Sequence, residues 1–320
     1  MNQRLIMRTS TLPKTDMNWD LFQSIDFDKI IDHPNILIAA RFWEPERYEA
    51  ARTCYKFMRA IDDLIDDYKA EHLTIAPEDK KGFEKKVTDW INTVMQNPGS
   101  NVVDTELTDT ITKFHIPLWP LEAFAKSMIY DIYNDGFPTL KDYLDYAGGA
   151  SVAPASIFVH LCGLTTENGE YRPPAFDVKQ AATPCAVFSY LVHIIRDFVK
   201  DHTHNLNYFP EDLMKQNGLD RKCLLEMATG SEITPGFRNM IRELYAVADE
   251  YRQKTLEVMQ EIKPQLEPRS QMSLEIIFAL YLMVFERIDI ENGTFTTKEL
   301  NPTQEEIKER VMNVILKFES

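Results

Sequence analysis

Tyr55-Lys-Phe-Met-Arg59-Ala-Ile-Asp62-Asp63-Leu-Ile-Asp66-Asp67 and Tyr190-Leu-Val-His193-Ile-Ile-Arg196-Asp197-Phe-Val-Lys200-Asp201 are the two stretches that decide the fold. In both, apolar residues return every three or four positions: Cys54, Met58, Ile61 and Ile65 in the first, Phe188, Leu191, Ile195 and Phe198 in the second. That spacing predicts amphipathic helices. Beside each apolar stripe stand carboxylates four residues apart, Asp62/Asp66 and Asp197/Asp201. Residues at i and i+4 stack one above the other, roughly 6 Å apart, so each pair can grip a cation from one side. Four uncompensated carboxylates on two packed helices would repel strongly, and a cation between them is the expected relief.

The rest of the 320-residue chain agrees with a helical reading. Apolar residues make up 44% of it, enough for a full core, and only 11 glycines disfavour a loop-rich β protein. Three-to-four spacing recurs from residue 46 onward while period-two alternation is scarce, so the class is all-α. With no repeat, low-complexity tract or linker, residues 1–320 read as one domain, with 1–32 as a partly helical N-terminal extension packed on it. A net charge of −15 argues against nucleic acid as partner, though not against an anionic substrate that arrives with metal ions. Cys54, Cys162, Cys185 and Cys223 show no CxxC spacing and read as free thiols of a reducing cytoplasm. The N-terminus lacks the apolar core of a signal peptide, and the longest apolar run, 276–285, is half of what a bilayer span needs. At most, peripheral contact with a membrane surface is expected.

Breaks are predicted at His33-Pro34-Asn35, at the Pro77 loop and at Asn97-Pro98-Gly99-Ser100-Asn101. Thr139 is placed as the cap of a helix over 139–164, which Gly148-Gly-Ala-Ser-Val152-Ala-Pro154 interrupts. That interruption implies a kink, close backbone approach to a ligand, or tight helix–helix packing. Residues 165–177 read as a polar loop, and the second acidic helix as 178–201 with a bend at Pro184. Helices are expected at 210–216, 220–229, 235–263, 270–288 and 303–318. Single matches carry bland readings: one DxxxD alone is a solvated face, His202 and His204 an exposed turn, His160 a hydrogen-bonded core histidine. The pairing of two DxxxD helices, each with a nearby arginine (Arg59, Arg196), is more specific. Oxygen donors suit Mg²⁺, which bridges to phosphate oxygens, and arginines add bidentate donors to phosphate.

Together, Tyr55…Arg59…Asp62-Asp63-Leu-Ile-Asp66 and Arg196-Asp197…Asp201…Tyr208-Phe-Pro210 resemble the squalene and phytoene synthases over residues 36–290. The segment Tyr146-Ala-Gly-Gly-Ala-Ser-Val152-Ala153 is similar to that family's small-residue lining of the substrate channel. The resemblance implies an isoprenoid-synthase-like helical bundle around a central cavity. It also implies Mg²⁺-dependent head-to-head condensation of two allylic isoprenoid diphosphates, farnesyl or geranylgeranyl. On it, Asp62, Asp66, Asp197 and Asp201 hold metal, and with Tyr55 and Tyr208 form the catalytic set. Arg59, Arg196, Tyr190, His193, Val152, Phe57 and Tyr281 are assigned to substrate. Phe42, Phe57, Phe158, Phe188, Tyr190 and Phe278 are candidates for the apolar wall, each more often simply core.

The chain departs from the family at several positions. A serine-rich phosphate-binding segment is replaced by His33-Pro34-Asn35-Ile36, a Gln and an Asn by Tyr190 and His193, and a basic residue after the second motif by Leu206. A late tyrosine and basic residue align with Tyr281 and Lys298. Two alternatives therefore stay open: a diverged prenyl diphosphate phosphatase, motivated by His193 and Tyr190, and a non-catalytic lipid-binding helical protein. Whether NADPH takes part, through a reductive ending, is equally open.

Overall fold

A computed structural model describes residues 17–27, 35–72, 74–95 and 105–318. The expected break at His33-Pro34, the turn at 97–101 and much of the 1–32 extension lie outside these residues. The described chain is helical throughout except for one hairpin. The first half holds α1 (Met17–Ser24), α2 (Asn35–Ala40), α3 (Pro45–His72), α4 (Pro77–Met95), α5 (Thr105–Lys113), α6 (Trp119–Tyr133), α7 (Leu140–Ala147) and α8 (Ala153–Gly163). After β1 (Thr165–Glu167) and β2 (Glu170–Arg172) come α9 (Val178–Arg196), α10 (Phe198–Thr203), α11 (Glu211–Gln216) and α12 (Arg221–Ala228). The chain continues through α13 (Pro235–Ile262), α14 (Pro268–Phe285), α15 (Thr297–Leu300) and α16 (Gln304–Phe318). No helix among the described residues is long and apolar enough to cross a membrane.

Pro45 opens α3 where its missing N–H costs nothing, and Ala50, Cys54, Met58, Ile61 and Ile65 form the buried stripe. α9 is buried nearly all round, packed on α13, α8 and α14, whereas α3 lies against α5, α6 and α8. The two acidic helices thus flank one interior. One contiguous cluster of buried apolar side chains fills it.

Four local expectations change. Pro77, expected in a loop, begins α4, so Glu78 and Asp79 lie in a helical first turn, where acids complement the dipole. The 165–177 loop contains an antiparallel hairpin, Thr166 opposite Tyr171, because Asn168 and Gly169 both adopt positive φ (53° and 83°) and close a two-residue turn. The second acidic helix runs through Pro184 but stops at Arg196; Asp197 leaves helical geometry (φ −89°, ψ 7°) before α10 restarts. The interruption at 148–152 is a single π-helical turn, a common way to insert one residue into a helix.

Thr139 caps α7 as its position predicts, its hydroxyl accepting from the Asp142 N–H at 3.2 Å and donating to Asp142 Oδ2 at 2.6 Å. Thr139→Ala is expected to lower stability by about 1 kcal/mol. An unchanged urea midpoint would show that this cap contributes nothing.

Candidate active site

One face of α3 carries Ala51, Tyr55, Met58, Arg59, Asp62 and Asp66 in steps of three and four, and all of them line a cavity of about 460 Å³. From α9 and α10, His193, Arg196, Asp197, Lys200 and Asp201 line the same cavity. α10 is set in place from behind: Phe198 packs 4.6 Å from the Phe237 ring and His202 5.4 Å from Phe209, which turns Asp197 and Asp201 toward the interior. Below the acidic rim the wall is apolar, drawn from Ile157, Phe158, Met259, Ile262, Leu274 and Ile277. The π turn contributes as well. Gly149 presses on α6, where an added Cβ would sit 2.2 Å from Ser127 Oγ, while Ala150, Ser151 and Pro154 face the cavity. Tight packing and a ligand-facing surface, separate readings in the sequence, are the two sides of one turn.

The rim is electrostatically loaded. Arg59 donates to Asp62 Oδ2 at 2.5 Å and also pairs with Asp63. Arg196 forks onto Asp197 at 2.8 and 2.6 Å. Burial pushes the Asp62 carboxyl up even against Arg59. Asp66 is driven up to about 8, first by burial and then by the charges of Asp62 and Asp131. Burial, then Asp197, lifts Asp201 to about 7. Asp197 alone goes the other way: burial raises it, but the hydrogen bonds and charge of Arg196 outweigh that and leave it below the usual range. Tyr208 is held far up by burial and then by Asp66, with Asp201 also acting on it, so it feels both acidic clusters. His193 falls to about 3 through burial and Arg196, so its ring is neutral, and its Nε2 has no hydrogen-bond partner.

Eleven of the thirteen residues singled out above, from Tyr55 through Tyr281, line this one cavity; Phe57 and Val152 do not. Phe57 stacks on Trp90 at 4.3 Å, and its carbonyl accepts from Trp90 Nε1 at 2.9 Å. Two residues along a helix is a rotation of about 200°, which takes Phe57 away from Tyr55 and Arg59. Val152, at the end of the π turn, is buried in the core. Of the six wall candidates only Phe158 and Tyr190 reach the cavity; Phe42, Phe57, Phe188 and Phe278 do not. Lys298 is exposed on α15 and His202 is buried rather than in a solvated turn. His160 is a core histidine, its Nε2 2.8 Å from the Phe114 carbonyl.

Two residues escaped the pattern. Asp131 on α6 is half-buried, accepts from the Tyr146 hydroxyl at 2.5 Å, and is raised to about 7, chiefly by its removal from water. Lys69, which is buried, donates to the Asn134 carbonyl at 2.9 Å beside a small second cavity shared with Asp66, Asp131 and Tyr208. A lone carboxylate inside the apolar run Met128-Ile-Tyr-Asp131-Ile132 was the available signal.

Among the described residues, no three His, Cys, Asp or Glu side chains close on one point as a ready-made cage. The donor set is nonetheless all oxygen, and three of its carboxyls are raised, chiefly by burial. Such a rim could hold a hard divalent ion by one or two carboxylates, the remaining positions being left for water and phosphate oxygens.

An α-helical bundle with two acidic helices over an apolar cavity defines the isoprenoid-synthase-like class. Solved structures of similar shape agree. A dehydrosqualene synthase in complex with ligand superposes with a TM-score of 0.64 at 15% identity, covering 93% of this chain and 98% of that one. YisP from Bacillus subtilis superposes with a TM-score of 0.60 at 16% identity, covering 92% and 96%. The Squalene/phytoene synthase family model matches residues 33–305, and the chain belongs to that family. Phytoene synthase 2, chloroplastic, of Zea mays is 23% identical over 182 residues, 57% of this chain and 43% of that protein. The chain spans about half the length of the curated relatives it matches.

Proposed function

We propose that the protein is a prenyltransferase that joins two allylic isoprenoid diphosphates head to head, with Mg²⁺ at its acidic rim. The observation that carries this reading is the shared lining: both DxxxD helices open onto one apolar cavity whose rim holds Arg59 and Arg196. At about 460 Å³ the cavity falls within the range of small-molecule sites, about 300–1,000 Å³. Asp62, Asp66, Asp197 and Asp201 would hold the metal, which when bound acts as Lewis acid and charge clamp on the departing diphosphate. Arg59 and Arg196 would orient that diphosphate, and Tyr55 and Tyr208 stand at the same rim. The apolar wall would keep water from the allylic cation, and Phe158 and Tyr190 line the same space, where aromatic rings stabilise positive charge. The four thiols are unpaired, which accords with a reducing, cytoplasmic compartment.

The test is incubation with farnesyl or geranylgeranyl diphosphate and Mg²⁺, with and without NADPH, followed by analysis of the extracted lipid. A C30 or C40 hydrocarbon supports condensation. Free prenyl alcohol would favour the phosphatase reading, and unchanged substrate the lipid-binding one.

The raised carboxyls give a second expectation. Between the ordinary aspartate value of 3.8 and the raised values of about 7 to 8, the metal-free folded protein keeps protons that the unfolded chain has released. These groups therefore make stability fall as pH rises through that window. Cations bind the ionised form, so Mg²⁺ should raise the melting temperature more at pH 8 than at pH 6. Equal increments at the two pH values, measured by calorimetry, would remove Asp66 and Asp201 from the metal-binding set.

A further inference from the structure

Three basic side chains line the rim: Arg59, Arg196 and Lys200. Two of them are already engaged, Arg59 with Asp62 and Asp63, Arg196 with both oxygens of Asp197. Lys200 pairs with no carboxylate among the described residues, and its charge acts on Asp197 and Asp201 from between them in sequence. Its helix is not free to swing. Phe198 is wholly buried against Phe209 and Phe237, and His202 bonds back to the Phe198 carbonyl at 2.9 Å. Lys200, two residues from each anchor, lies on the opposite face of the helix, and it lines the cavity together with Asp201.

We infer that Lys200 is a further substrate-binding residue, an ammonium that takes up diphosphate oxygens at the rim beside Arg59 and Arg196. The inference rests on the proposed reading of the site as a diphosphate site. A lysine is a compact point charge on a flexible stem, without the fixed fork of a guanidinium. It can therefore follow a diphosphate that shifts as the ester bond breaks, while the two arginine forks hold its orientation. The competing account is a solvated surface lysine, and position distinguishes the two. Both Lys200 and Lys215, on α11, are exposed, but Lys215 pairs with Glu211 and is absent from the cavity lining, whereas Lys200 is part of it.

The experiment is calorimetric titration of inorganic pyrophosphate in the presence of Mg²⁺ into the wild type, Lys200→Met, Lys200→Arg and Lys215→Met. Loss of one charge-assisted hydrogen bond predicts about tenfold weaker binding in Lys200→Met. Lys200→Arg should recover most of the affinity, and Lys215→Met should bind like the wild type. The inference is overturned if Lys200→Met binds as tightly as the wild type, or if Lys215→Met loses as much, since net charge rather than position would then be at work. A wild type that binds no pyrophosphate at all sinks the diphosphate reading of the site itself.

Discussion

Asp62→Asn and Asp197→Asn are each expected to lower turnover of a prenyl diphosphate by about 10³-fold, the scale on which removal of one electrostatic stabiliser is felt in a dry site. Asparagine keeps the size of the side chain and removes its charge, so the loss reads out electrostatics rather than packing. The two variants should differ in stability. Asp62 pays for its burial, as its raised carboxyl records, so a neutral amide there leaves the melting temperature unchanged or higher. Asp197 is held ionised by Arg196, whose side chain is only 22% exposed. Asp197→Asn leaves that guanidinium without its counter-charge and should cost about 2 kcal/mol, below the full figure for a buried pair because both groups keep some solvent. Activity against farnesyl or geranylgeranyl diphosphate and a denaturation curve for each variant check both halves. Full activity in either variant would falsify the metal assignment for that helix.

Gly149→Ala is the other substitution with a large expected effect. An added Cβ would lie 2.2 Å from Ser127 Oγ, 2.3 Å from the Ala123 carbonyl oxygen and 3.0 Å from its carbon. The serine could rotate away, at the expense of its 3.0 Å bond to the Tyr146 carbonyl. The Ala123 backbone cannot, because it lies inside α6. The π turn must then move off α6, and overpacking of this kind costs about 3 kcal/mol. The same displacement would carry Ala150, Ser151 and Pro154 out of register with the cavity, so any folded protein should also lose substrate affinity. Gly148→Ala is the control, since nothing lies within 4 Å of its added Cβ. Equal denaturation midpoints for the two variants would show that the contact with α6 is not a constraint.

How much of this was legible in the sequence follows from what each pattern encodes. Helical periodicity reports which face of a segment is buried, so α3, α9, α13, α14 and α16 could be placed within a few residues. Capping chemistry is local, so Thr139 was identifiable from its neighbours alone. The Asn168-Gly169 turn is equally local, but its signal sits inside a polar stretch with no apolar alternation to mark the short strands beside it. The end of α9 was harder. Arg196 and Phe198 both fit a continuing helix, and the break at Asp197 accompanies a turn of the chain toward Phe209 and Phe237, a contact with a distant segment.

The same division runs through the site. Charge patterning alone determined that Arg59, Asp62 and Asp66, and likewise Asp197 and Asp201, share a face, because residues three and four apart in a helix must do so. Resemblance to a family extended that to a ligand class. Which aromatic rings meet the cavity was a matter of tertiary structure alone. Phe57 turns to Trp90 and Phe158 to the interior because neighbouring helices, not their own sequence, decide what each face touches. Asp131 joins the acidic cluster for the same reason: α6 brings it beside Asp66, and proximity across helices leaves no periodic mark in a chain, whereas Lys69, three residues after Asp66 on α3, was open to the same spacing argument. Periodicity is a property of one segment, whereas a site is a property of several held at fixed distances.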